Sequence, residues 1–437
     1  MGLRNCKKKT EAGSSCSPST EMTTVDRVAN FLNVCVVFLI GIFLLSTPYP
    51  HLTAIREITY YSSVAFFLFL ILHRRADFSF KTPLTLPLAA FLLWAVLSIF
   101  FAINKGNSSH DVYAHLLKYI VFYFMLINFF NTGKRFLALT WIIIIAATIL
   151  CLGGFIYFYI ILENKLPTRF LIDKSCYIPY LDYLYIFSIL LSCNHLLTRW
   201  EQRKKYLFLI PLLIISLGAI LSQTRSAILA LALSLPFYLH KRLIKLMLVI
   251  IVFIAVFTII LHANNRLTDF ETFLHNERFD NARIYIEMIK DHPITGIGFG
   301  MQSYDDMNLL MCYYKKLPVN DRPNRSNMFL SPHNLLLDIT VRLGIVGLIL
   351  FGFLIFRFLR MGWQTIRSAK DDFIRGWGSC IMACFIAFFV QALFSDAGFG
   401  IQAIVMYTIF AMMTILWRLQ HSPSIRQDEQ TNPAMST

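Results

Sequence analysis

Four side chains in this sequence are of the types that handle phosphorylated groups: Arg225 in Ser222-Gln223-Thr224-Arg225-Ser226-Ala227, Arg283 after Asn281-Ala282, His333 in Ser331-Pro332-His333-Asn334, and Asp396 in Ser395-Asp396-Ala397-Gly398. An arginine presents a planar fork of donors that pairs bidentately with phosphate oxygens, so two converging guanidinium groups can hold a diphosphate without a metal. An imidazole titrates near neutral pH and can accept a proton from an attacking hydroxyl. Together they describe displacement of a lipid diphosphate from a sugar.

Each residue also has a plainer reading. Arg225 can snorkel to lipid phosphates. Arg283 can pair with Glu287 at helical spacing. Asp396 can cap the last helix, and His333 can be an incidental first-turn residue behind the start signals Ser331 and Pro332. The chemical reading needs all four on one face of the molecule, which is a question about the elements that carry them.

Those elements are apolar helices. The chain has 437 residues, of which 57% are hydrophobic and only 15% charged, more apolar surface than a soluble core can use. Successive runs of about 20 apolar residues match a bilayer's hydrocarbon thickness, and they lack the alternation of barrel strands. About twelve spans are expected, over 28–46, 58–73, 84–103, 116–130, 136–162, 178–197, 206–222, 226–240, 243–262, 335–359, 373–394 and 399–417. The basic connectors at 73–75, 134–135, 199–205, 240–242 and 360–375 all fall on one side, together with Lys7, Lys8 and Lys9. Because short cytoplasmic loops retain Lys and Arg, both termini are expected in the cytoplasm. The expected organisation is a basic tail at 1–27, nine helices over 28–262, a long outward loop at 263–332, three helices over 333–417 and a second tail at 418–437.

This topology absorbs most of the net charge of +15, so it is no argument for nucleic acid. Of the nine cysteines, Cys380 and Cys384 share a helix face as packing residues, while Cys176 and Cys312 fall in outward loops where a disulfide is an option. The outward insertion is far longer than ordinary loops. In it Asp280 is placed to cap a helix with Ile284 and Met288 on one face, ended by Pro293, and Gly296-Ile297-Gly298-Phe299-Gly300 reads as a flexible turn rather than a nucleotide loop. Arg278, Arg322 and Arg325 are read as a solvated face. Asp305-Asp306 is a poor metal site with two carboxylates and no third ligand. His115, Lys118 and Asp182 lie near outward span ends, either lining a cavity or sitting at the interface. No metal or cofactor is expected.

His333-Asn334, nine residues, then Gly344-Ile345-Val346-Gly347 resembles the H[NSQ]-x9-GxxG signature of the bacterial O-antigen ligase family. Thr224-Arg225-Ser226-Ala227 looks like that family's arginine-bearing turn, and Arg283 followed by His292-Pro293-Ile294-Thr295-Gly296 is similar to its periplasmic-loop pattern. The resemblance is sharp over 222–347. It implies a GT-C-like helical scaffold in the bacterial inner membrane, with the site facing the periplasm. It also implies metal-independent, inverting transfer of O-antigen from undecaprenyl diphosphate to lipid A-core, in lipopolysaccharide biosynthesis. Arg225 and Arg283 would then hold the diphosphate, His333 would activate or place the acceptor, Asp396 would orient His333, and Asn334, Gly344 and Gly347 would support the motif. An O-antigen polymerase shares the donor, and a transporter of a small anion or lipid-linked sugar is a third reading. Transport predicts ionisable groups through both membrane halves and inverted repeats, whereas here they cluster at one face.

Overall fold

The computed structural model describes residues 24–73, 78–165, 168, 170, 178–197, 205–234, 277–300, 306–324, 331–394 and 400–421. Among these the regular structure is helical. We label the helices α1 (Thr24–Ser46), α2 (Thr53–Leu72), α3 (Thr85–Ser98), α4 (Lys105–Phe129), α5 (Gly133–Ile161), α6 (Ile178–Leu197), α7 (Leu209–Leu221), α8 (Arg225–Ser234), α9 (Glu277–Asp291), α10 (Met307–Lys316), α11 (Leu335–Ser368), α12 (Asp372–Ala392) and α13 (Ala403–His421).

Seven of the helices among the described residues are long and apolar enough to cross a membrane: α1, α2, α4, α5, α11, α12 and α13. Their outer faces carry large apolar side chains that a soluble protein would bury, such as Phe38 on α1, Leu72 on α2 and Ile349 on α11. Between the helices lipid supplies no hydrophobic drive, so close packing must hold them together. At the α6/α12 seam small side chains allow it: Cys193, Cys380, Ala383 and Cys384 are buried, and the Cys380 thiol reaches the Leu190 carbonyl at 3.5 Å. Helix α13 is buried along almost its whole length among α4, α11 and α12.

Several boundaries depart from expectation for local reasons. Helix α4 begins at Lys105, eleven residues before the apolar run that predicted it, because Asn104 caps it by accepting from Asn107 N at 2.9 Å. Its polar first turns are followed by a π-helical turn at Val112–Leu117. Helix α11 runs to Ser368 and is broken inside at Gly344. Helix α9 starts at Glu277, which puts Asp280 inside the helix and not at its cap, while Ile284 and Met288 are buried as expected. The expected span 243–262 and the end of the one at 226–240 lie outside the described residues.

Helices α9 and α10 form a small body of their own. Ile284, Tyr285, Met288, Ile297, Leu310, Tyr313, Tyr314 and Leu317 make an apolar cluster that includes Val341 of α11. The polar insertion is therefore an appendage anchored to the first turns of α11.

Candidate functional site

Side-chain contacts fix the directions of the helices. The Tyr183 ring packs on Phe388 at 4.8 Å, the Cys380 thiol meets the Leu190 carbonyl, and His195 meets Trp377 at 4.8 Å, so α6 and α12 are antiparallel, with the start of α6 at the end of α12. At that end Thr224 donates to Asp182 at 3.0 Å, which brings in the start of α8. The Asn334 amide donates to the Leu393 carbonyl at 3.0 Å, which brings in the start of α11. Arg225, the first residue of α8, and His333 thus belong to one end of the bundle, around the C-terminus of α12.

His333 does not open α11. Asn334 does, its side chain accepting from Leu337 N at 3.0 Å, so this residue both caps α11 and ties it to α12. His333 sits just outside, half-buried, with φ +48°, a left-handed conformation that is uncommon for a residue with a Cβ. Such a backbone persists only where its surroundings over-determine it, as they do here between Pro332 and the cap.

The two glycine motifs prove to be one structure. Gly344 has φ +66° and ψ −170° in mid-helix, which frees carbonyls of the preceding turn. Ile297 N donates to Val341 O at 2.9 Å, Gly298 N to Arg342 O at 3.0 Å, and Ile345 N to Pro293 O at 2.8 Å. Trp94 Nε1 takes the Leu343 carbonyl at 2.9 Å. A Cβ on Gly344 would lie 2.0 Å from Ile294 O, so no other residue fits without moving the backbone. Gly347 is required by the same break, since a Cβ there would meet Leu343 Cβ at 2.2 Å. The 296–300 segment, expected as a flexible turn, is docked on the helix break and also on the start of α4 and the residues leading into it, with Ile103 N bonded to Ile297 O at 3.0 Å and Gly300 N to Ser108 Oγ at 3.2 Å.

Arg283 lies on the appendage, where Nη1 meets Asp321 Oδ1 at 2.5 Å, both side chains nearly half exposed. The expected alternative partner, Glu287, binds Lys290 instead at 2.6 Å. Arg322 is engaged with the carbonyls of Leu317 and Lys315, both at 2.9 Å, so it is a loop brace and not a solvated cation. Asp306 caps α10, accepting from Asn308 N at 2.9 Å. Lys316 binds Asp291 and holds its carboxyl below the usual range. Cys312 is an exposed free thiol. Asp396, Arg325, Asp305 and Cys176 lie outside the described residues, as does the side chain of Arg278.

Sequence reasoning left two features of this end unassigned. The first is the buried pair Asp338–Arg342, Oδ1 to Nε 2.7 Å, with side-chain exposures of only 9% and 5%. A carboxylate and a guanidinium four apart inside an apolar run were its visible signal. The second is a polar group where α2 meets α4: Lys118 binds Glu57 at 2.5 Å, Glu57 also meets Arg56 at 3.2 Å, and Tyr60 donates to the Lys118 carbonyl at 2.9 Å. On the same stretch of α4, His110 meets the buried Asp111 at 2.9 Å, with His115 at 3.8 Å. Tyr119 near Tyr407 at 5.9 Å and Tyr123 on Thr414 at 3.0 Å show that α4 and α13 run parallel, so this group too lies at the end where α12 passes into α13.

The architecture is that of a multi-pass helical membrane protein in which, among the described residues, the buried and half-buried ion pairs lie at one end. Residues 210–352 match the family described as O-antigen ligase, so the resemblance read from the motifs holds over that stretch. The match takes in Arg225, Arg283, His333, Asn334, Gly344 and Gly347, and it supports a glycosyltransferase-like enzyme of ligase or polymerase type acting on lipid-linked glycans. Comparison with curated proteins gives no matching relative.

Proposed function

We propose that this protein is an O-antigen ligase of the bacterial inner membrane, transferring glycan from undecaprenyl diphosphate to lipid A-core at the periplasmic face. The observation that carries the reading is that the arginine-bearing turn and the His-Asn cap, both in the matched stretch, lie at the same end of the bundle as the C-terminus of α12. In the reaction the acceptor hydroxyl attacks the anomeric carbon, the bond from that carbon to the diphosphate oxygen breaks, and a single displacement inverts the centre. His333 takes the hydroxyl proton, and the lipid diphosphate leaves with its charge held by Arg225 and Arg283. Asp396 orients His333.

Two features support the binding role. Arg225 stands at the start of α8, where the backbone dipole also favours an anion. Among the described residues Arg283 is held by an exposed ion pair, worth about 0–1 kcal/mol, so a diphosphate can displace Asp321. No step calls on a metal, and the apolar helix faces solvate the lipid tail. The site is proposed to face the periplasm, with the segment 263–332 covering it and both tails in the cytoplasm.

The test is to incubate purified protein with undecaprenyl-diphosphate glycan and lipid A-core, separately and together. Extension of lipid A-core supports ligation. Lengthening of the donor alone would assign a polymerase, and vectorial movement of donor without transfer would assign a transporter.

A further inference from the structure

The break at Gly344 divides α11 into a short piece, 335–343, and the long remainder. The short piece carries the Asn334 cap and hence His333 at one end, and at the other it gives Val341 to the core of the α9–α10 appendage. His333 and the appendage are therefore mounted on the same nine residues. What locks them together is Arg342: Nε binds Asp338 one turn back at 2.7 Å, and Nη1 reaches across to the Phe299 carbonyl at 2.9 Å. With both side chains almost fully buried, this is a costly arrangement to build into an apolar helix, and a brace between motif and loop accounts for it.

We propose that Arg342, oriented by Asp338, is a positioning residue that sets His333 and the appendage in register, so that the arginine of α9 and the imidazole act on one donor. This rests on the transferase reading above. Arg342 touches neither substrate nor reacting atoms. It acts by fixing the angle at which the short piece leaves the break.

Removing one partner of a buried pair strands the other charge and endangers folding, whereas replacing both with apolar groups of similar size is often neutral. The informative variant is therefore the double substitution Asp338→Leu with Arg342→Met, compared with Arg342→Lys in the intact full-length protein. Two quantities are read: kcat and KM for glycan transfer, and the rate of tryptic cutting after Lys315 and Lys316, which lie on α10. The double variant is expected to insert normally, to be cut about tenfold faster, and to lose about tenfold in kcat with KM for the donor within about twofold of wild type, since a misplaced group costs turnover more than binding. Arg342→Lys, which can still pair with Asp338, should recover most of that kcat. A double variant with wild-type kcat overturns the proposal, whatever the cutting rate, and so does a loss confined to KM. Wild-type protein that transfers to no acceptor overturns the functional reading, and this proposal with it.

Discussion

The two ends of the bundle use cationic side chains differently. At the end where α4 passes into α5 and α11 into α12, guanidinium groups are taken up chiefly by backbone: Arg135 donates to Phe129 O at 3.0 Å, Arg375 to Ala369 O at 2.7 Å with a longer contact to the exposed Asp372 at 3.4 Å, and Arg418 to Ile127 O at 2.8 Å. These are helix C-termini, where exposed carbonyls and the dipole both favour a cation. At the opposite end the principal partners are carboxylates: Asp338 for Arg342, Glu57 for Lys118, Asp321 for Arg283. The histidines divide in the same way. His195 is buried, bonded to Thr140 at 2.7 Å and stacked on Phe208 at 4.0 Å, whereas His333 sits half-buried in a left-handed conformation at a helix entrance. A cation on a carbonyl closes a helix end and the buried Asp338–Arg342 pair braces one, but Arg283 on the exposed Asp321 can exchange that partner for another anion. On the proposed function, this is the end expected to do the chemistry.

The sharpest way to break this contrast is to remove one histidine from each end. His333→Ala should lower transfer by about 10²–10⁴-fold, the usual worth of a general base, with insertion and abundance unchanged. His195→Ala should lower the thermal midpoint and leave kcat per folded molecule as it was; equal catalytic losses from both would erase the distinction. Next comes Arg225→Lys. Keeping the charge but losing the fork should cost roughly tenfold to a hundredfold in kcat/KM, the equivalent of one charged hydrogen bond, read in the purified transfer assay. Arg418→Ala at the other end should cost about 2 kcal/mol of stability without a change in kcat, measured by thermal unfolding and turnover side by side. The smallest effect is expected from Asp321→Ala. Stability should change by less than about 1 kcal/mol, and the donor KM should fall a few-fold because Arg283 no longer has a competing partner.

Much of the scaffold was legible from composition because length and apolarity alone mark a span. The start of α11 agrees with the apolar run that predicted it. The start of α4 was hidden because its first turns are polar and depend on the Asn104 cap, a tertiary and capping feature with no hydrophobic signature. His333, Asn334, Gly344 and Gly347 were legible as a spaced motif, but their division of labour was not. Asn334 is the cap and inter-helix tie, Gly344 the break, and the 296–300 segment the piece that fills it. Periodicity cannot show a helix that opens in mid-course to accept a loop from about forty residues upstream. The Asp338–Arg342 pair was visible as an interruption of an apolar run, yet its second partner, the Phe299 carbonyl, is distant in sequence.

The most direct test of the central claim is to find where the diphosphate lies. An undecaprenyl diphosphate glycan carrying a photoreactive group beside the phosphates, irradiated with the purified full-length protein and mapped by peptide mass spectrometry, should label 222–228 and 331–343. Labelling concentrated at 127–135 and 418–421 would place the donor at the end where arginines close helices, and would contradict the account.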